Sequence, residues 1–158
     1  MDSDDTIGVC VCVDVGEFVK ALIDKAGAEP LRKLPLTDLL QYGHLRGWLE
    51  DQDERHPETP LNRQSAARII HQFLWIECKV PDLADISSAT CLKDLYTCRV
   101  CANHIAQVYA RGIMDAEEIE DNGHLVLIFN HLRLVTKSES CEIINLVVEC
   151  HDNGVSKP

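Results

Sequence analysis

Three residues able to do chemistry follow one another at three-residue steps in Cys98-Arg99-Val100-Cys101-Ala102-Asn103-His104. On a helix such steps put Cys98 and Cys101 on one face, with His104 drifting around it but still near. Two thiolates and an imidazole can then meet one zinc ion, and Cys91 is available as a fourth ligand. Structural zinc sites usually draw two ligand pairs from separate elements, however, and only this C-x-x-C is present; nor is it the C-x-x-C-H of haem attachment. A redox dithiol is the other chemical reading if the pair sits at a helix N-terminus, where a thiol pKa falls. The plain reading is that these cysteines, like Cys10 and Cys12 of the C-x-C pair, are small hydrophobes packed in a core.

Other constellations are weaker. His71 and His131 have no identifiable nucleophile beside them, and no phosphate-binding glycine loop, Gly-x-Ser-x-Gly elbow or His-Glu-x-x-His occurs. The acidic run from Glu50 to Pro57 lacks the spacing and the turn glycine of a calcium loop, and reads as a solvated loop. Trp48 and Trp75 have too few basic neighbours for a base-stacking platform and read as core or interface anchors. The expectation is a chain that is not an enzyme and needs no cofactor, zinc being the one candidate.

The 158 residues fit one domain, and 46% hydrophobic content is enough to build its core. A net charge of -11, from 26 acidic against 15 basic residues, repels a phosphate backbone or an anionic membrane. Nucleic acid is therefore not an expected partner. No apolar run reaches the roughly 20 residues that span a bilayer, and Met1-Asp2-Ser3-Asp4-Asp5 is acidic where a secretory signal is basic. That predicts a cytoplasmic protein with no membrane insertion, whose eight cysteines are reduced thiols. Removal of a signal peptide would change the location to the cell envelope.

The elements that position these residues announce themselves by their caps. Thr136 and Glu139 form a T-x-x-E capping box, Asp14 and Glu17 form one with an aspartate cap, and Asn62 with Ser65 forms a weaker one, because serine is too short to reach back. An apolar residue, Val13, Leu61 or Val135, precedes each cap. Aligned on the caps, Ala21, Ile69 and Ile143 fall in one column and Leu22, Ile70 and Ile144 in the next, as equivalent core positions would. Leu45-Arg46-Gly47-Trp48-Leu49-Glu50 also resembles Ala110-Arg111-Gly112-Ile113-Met114-Asp115, each with a glycine suited to ending a helix. Between caps, the spacing predicts helices from Asp14 to Gly27, from about Thr37, from Asn62 to Cys78, and from Leu92 or Tyr96 through Gly112. Short extended segments are expected near 7–13 and 124–129, with a turn at Asn122-Gly123. The reading is one domain over 1–158: a capped helix at about 14–27, then repeats at about 36–78 and 85–150.

A helix ending at Gly-Ile or its equivalent, a variable loop, and then an apolar-Thr-Arg-Ala-Glu start to an apolar helix resembles the S-layer homology family. The closest stretch is His104 to Met114, followed by Phe129-Asn130 and Val135-Thr136-Lys137-Ser138-Glu139. The resemblance implies an all-α fold with repeats around a pseudo-threefold axis, and a bacterial module that binds cell-wall polysaccharide. In that family the arginine of the motif contacts anionic sugars, as a bidentate guanidinium suits a carboxylate. The corresponding positions here are Val15, Arg63 and Lys137, so Arg63 and Lys137 are the candidate glycan contacts. The caps are kept better than the contacts, and the net charge disfavours an anionic polymer. The leading expectation is therefore a non-enzymatic scaffold that binds a protein partner, with polysaccharide binding and a thiol or zinc site at Cys98, Cys101 and His104 as alternatives.

Overall fold

Backbone groups at a helix start lack intrahelical partners, and this chain supplies them from the side chains the caps predict. The computed structural model describes residues 11–156. Asp14 accepts from the Glu17 N–H at 2.7 Å while Glu17 accepts from the Asp14 N–H at 2.9 Å, opening α1 (Val15–Ala26). Asn62 accepts from the Ser65 N–H at 2.8 Å and opens α5 (Arg63–Ile76), with no reciprocal bond from the short Ser65. Thr136 accepts from the Glu139 N–H at 3.0 Å at the start of α7 (Lys137–Ser156). Between α1 and α5 lie α2 (Glu29–Arg32), α3 (Leu36–Arg46) and α4 (Asp51–Arg55). Past α5 come three 3-10 turns, Ser87–Cys91, Leu95–Thr97 and Arg99–Cys101, then α6 (Ala102–Ala110). An antiparallel hairpin of β1 (Glu117–Asp121) and β2 (His124–Ile128) leads to α7, with Glu117 facing Ile128 and Asp121 facing His124. Asn122 and Gly123 both have positive φ at its tip, the conformation a two-residue hairpin turn requires.

The apolar residues just before the three caps join these helices at their starts. The Val13 N–H donates to the Val135 carbonyl at 3.1 Å, Val135 to Leu61 at 2.9 Å, and Leu61 back to Val13 at 3.0 Å, closing a ring. All three residues are buried, so the ring satisfies backbone groups that would otherwise be stranded away from water. Beneath it, α1 packs on α7 and α5 on α6. Phe18, Leu22, Ile70, Phe73, Ile105 and Val108 fill the space between, and Trp48 meets Phe73 edge-on at 5.3 Å. Gly47 and Gly112 end α3 and α6 at φ 97° and 78°, and the residues after each, Trp48-Leu49 and Ile113-Met114, fold back into the core.

Several expectations need correction. The chain is 58% helical with a two-stranded sheet, so it is not all-α, and neither a repeat nor threefold symmetry is shown. The helix expected from Leu92 or Tyr96 begins at Ala102, because the preceding residues are held in 3-10 turns by Asp94 and by a Cys98–Cys101 disulfide. That disulfide also overturns the expectation that all the cysteines are reduced. The acidic run at Glu50 is a short helix, not a loop: Glu50 accepts from the Asp53 backbone and Asp53 from the Glu50 N–H, and buried Asp53 takes two bonds from Arg68, at 2.8 and 3.1 Å. The extended segment expected at 124–129 is β2, whereas 7–10 and Cys10 lie outside the described residues.

Candidate functional site

Arg63, first residue of α5, is completely buried. Its Nε donates to the Phe129 carbonyl at 2.8 Å, one terminal nitrogen pairs with Glu139, and the other reaches the Asp115 carbonyl. The guanidinium also lies over the Phe129 ring, 4.5 Å from its centroid. Burial lowers its pKa, and the Glu139 carboxylate opposes that shift. The side chain is spent on tying α5, the turn after α6, the residue after β2 and α7 together. Glu139 correspondingly does not complete its capping box; its carboxylate is drawn to Arg63 and Arg133. Lys137 is exposed, and its backbone N–H donates to the Val11 carbonyl at 2.9 Å.

A cleft of about 350 Å³ opens beside this node, between Gly112 to Asp115 and the first turns of α7. Arg133, which the motif reading did not single out, is its cation, already paired with Glu117 at 2.6 Å and with Glu139 at 3.2 Å. Asp115, Glu139 and Glu142 make the cleft acidic.

The second site is built around the C-x-x-C. Asp94 anchors its approach: one carboxylate oxygen accepts from the Phe129 N–H at 2.7 Å and the other from the Asn130 N–H at 2.8 Å. His131 lies 2.7 Å from the Asp94 carbonyl and 2.9 Å from Gln64, so it braces the loop from within the core. The disulfide closes the other end at the N-cap of α6. Between these anchors the chain displays Tyr96, 67% exposed, and Val100, 85% exposed, with Arg99 also in solvent.

A cleft of about 310 Å³ runs beside the disulfide, lined by both cysteines, Val100, His104, Arg68 and Glu50 among others. His104 Nδ1 lies 2.8 Å from His71 Nδ1, and His71 Nε2 lies 2.7 Å from Asp82 Oδ1. Burial pushes His104 down to about 4, with His71 and Arg68 adding to the effect, so it is neutral at pH 7. Burial alone would raise the Asp82 carboxyl, but hydrogen bonds from His71 and Asn103 outweigh it and hold the group below its usual range. An ionised Asp82 only accepts, which assigns the proton between them to His71 Nε2.

Comparison with protein families, with characterised proteins and with solved structures finds no match. What the site does has to come from its own geometry.

The zinc reading brought Cys98, Cys101, His104 and Cys91 together. The structure joins the first two to each other and places His104 on their cleft, but Cys91 donates to the Ser88 carbonyl at 3.0 Å and lies 3.8 Å from the Tyr109 hydroxyl. Among the described residues, no group of three His, Cys, Asp or Glu is placed to hold a metal ion. Sequence reasoning missed Asp82, Asp94 and Arg68, and saw His71 only as an isolated histidine. Their partners lie on other elements, and nothing local to each residue marks the pairing.

Proposed function

We propose that this chain is a non-enzymatic protein-binding module whose recognition element is the loop from Asp94 to Cys101. The carrying observation is that Val100 and Tyr96 stand 85% and 67% in water on a loop fixed at both ends. Fully burying a valine side chain contributes about 1.5 kcal/mol or more, so leaving it out on a rigid support favours a partner that covers it. A tyrosine offers a large, stiff contact with a polar tip, the type of residue that dominates binding energy at interfaces. Because the disulfide and Asp94 already order the backbone, little conformational freedom remains to be lost on binding. With Arg99 between them, the complementary surface is an apolar hollow bordered by a carboxylate.

Retention of protein partners from the source cells on the immobilised native chain, compared with Val100→Asp, tests this reading. A partner held by the native protein and lost with Val100→Asp at an unchanged unfolding midpoint supports it. Equal retention on both, or none on the native chain, contradicts it. The polysaccharide alternative has no such support, since Arg63 is consumed internally and the cleft beside Arg133 is acidic.

A further inference from the structure

The two histidines behind the cysteine loop face each other through like atoms. His71 Nδ1 on α5 lies 2.8 Å from His104 Nδ1 on the first turn of α6. Two ring nitrogens at that distance hold one proton between them, whichever ring carries it. Two separate imidazolium rings carry four N–H protons, whereas this pair in contact has room for three. A second positive charge would set one N–H against the other, so that charge and the contact exclude each other. The neighbours decide where a first charge is tolerated. His71 is 5% exposed, and its Nε2 lies 2.7 Å from Asp82 Oδ1, on the segment that follows α5. His104 meets the charges of His71 and Arg68, both on α5, with Asp82 alone in opposition. Arg68 is itself paired with Asp53 and Glu50 at the start of α4, and Glu50 and Arg68 are the charged groups lining the cleft that His104 faces. From α6 the neutral Asn103 joins, donating to Asp82 at 3.3 Å.

We propose that His71 and His104 form an acid-opened latch between α5 and the first turn of α6. When the pair takes up its second charge, the His104 ring leaves His71 for the cleft, and the turn from Cys98 to His104 loosens from α5. The ring has a place to go, because it already lines that cleft of about 310 Å³. Little else holds the turn: Arg99, Val100 and Asn103 are exposed, and the fully buried residues of α6 begin at Ile105. Opening there costs less than unfolding the core. Burial, with the charges of His71 and Arg68, holds His104 in the closed latch at about 4, against 6.5 for a free imidazole. Between those values the open form binds more protons, so opening is favoured as pH falls through that window. Above 6.5 the latch is closed at full strength, and below about 4 both forms are charged and the gain stops. Asp82, held below its usual range, keeps its charge through the window and stays with His71. The latch stands on the histidine contact alone, whether or not the loop binds a partner.

The test is hydrogen–deuterium exchange of the full chain over the same pH window, with exchange times scaled for the intrinsic pH dependence of amide exchange. Peptic fragments over 95–104 report the latch, and fragments over α1, which carries no histidine, report the core. Exchange through opening is expected to rise about fortyfold from pH 6.5 to about 4.5 over 95–104 and to stay level over α1. His104→Gln and His71→Gln each keep a polar side chain that binds no proton, and each is expected to flatten that rise to under about fivefold. A second measurement needs no variant: a side-chain NMR titration of the native chain is expected to show one imidazole completing its titration at about 4. Exchange over 95–104 that follows α1 at every pH, a rise that persists in both variants, or histidine rings that all titrate above about 5 would overturn the proposal.

Discussion

Taking the guanidinium away from Arg63 leaves the Glu139 carboxylate, mostly buried, with only the half-exposed Arg133 to answer it. It also strands the carbonyls of Phe129 and Asp115. Breaking a buried ion pair from one side costs about 3–5 kcal/mol, because a charge stays in the interior without its partner. Arg63→Met is therefore expected to lose about that much unfolding free energy in urea, and a loss under 1 kcal/mol would contradict the account. The same residue shows where sequence reading stops. Its type and its place after a helix cap are visible, and both suit a ligand contact as well as a core ion pair. Only the fold brings Phe129, Asp115 and Glu139 around it, at separations of 66, 52 and 76 residues.

Among the elements, the legible features are those fixed by a few neighbouring residues. The Asp14 and Asn62 caps and the Asn122-Gly123 turn form as expected because their partners lie within three or four positions. The 3-10 turns before α6 escaped prediction because Asp94 is satisfied by Phe129 and Asn130, 35 and 36 residues away, and because the cysteines there are bonded to each other. Gly47 and Gly112 were readable as helix ends, and their φ of 97° and 78° gives them a measurable role. A Cβ at Gly112 meets nothing within 4 Å, so Gly112→Ala isolates the backbone term. It is expected to cost about 1–2 kcal/mol with no change in loop conformation, checked by thermal unfolding. At Gly43, inside α3 and without positive φ, the same substitution puts Cβ 2.6 Å from Leu49 Cδ1, so packing strain there opposes a gain in helix propensity.

Over the whole molecule, the backbone ring of Val13, Leu61 and Val135 brings the starts of α1, α5 and α7 together, and the Asp94 anchors tie the hairpin end to the cysteine loop. The column of Leu22, Ile70 and Ile144 is buried in all three helices, whereas the neighbouring column is buried at Ile69 and Ile143 and only partly at Ala21. They did not specify a symmetric assembly, since helices of 12, 14 and 20 residues with different connections follow the same local cap pattern. No helix among the described residues is long and apolar enough to cross a membrane. The chain carries a net charge of -11, and the cysteine loop presents Arg99 between the exposed Tyr96 and Val100, the combination on which the proposed contact surface rests. Everything proposed for that loop depends on the bond that closes it. Trypsin cleaves after Lys93, Arg99 and Arg111, so a digest made without reductant, with free thiols blocked at the moment of lysis, separates Cys98 and Cys101 onto two peptides. The account predicts that Asp94–Arg99 and Val100–Arg111 are recovered joined and separate on reduction. Recovery of the two peptides apart, each already alkylated, would contradict it.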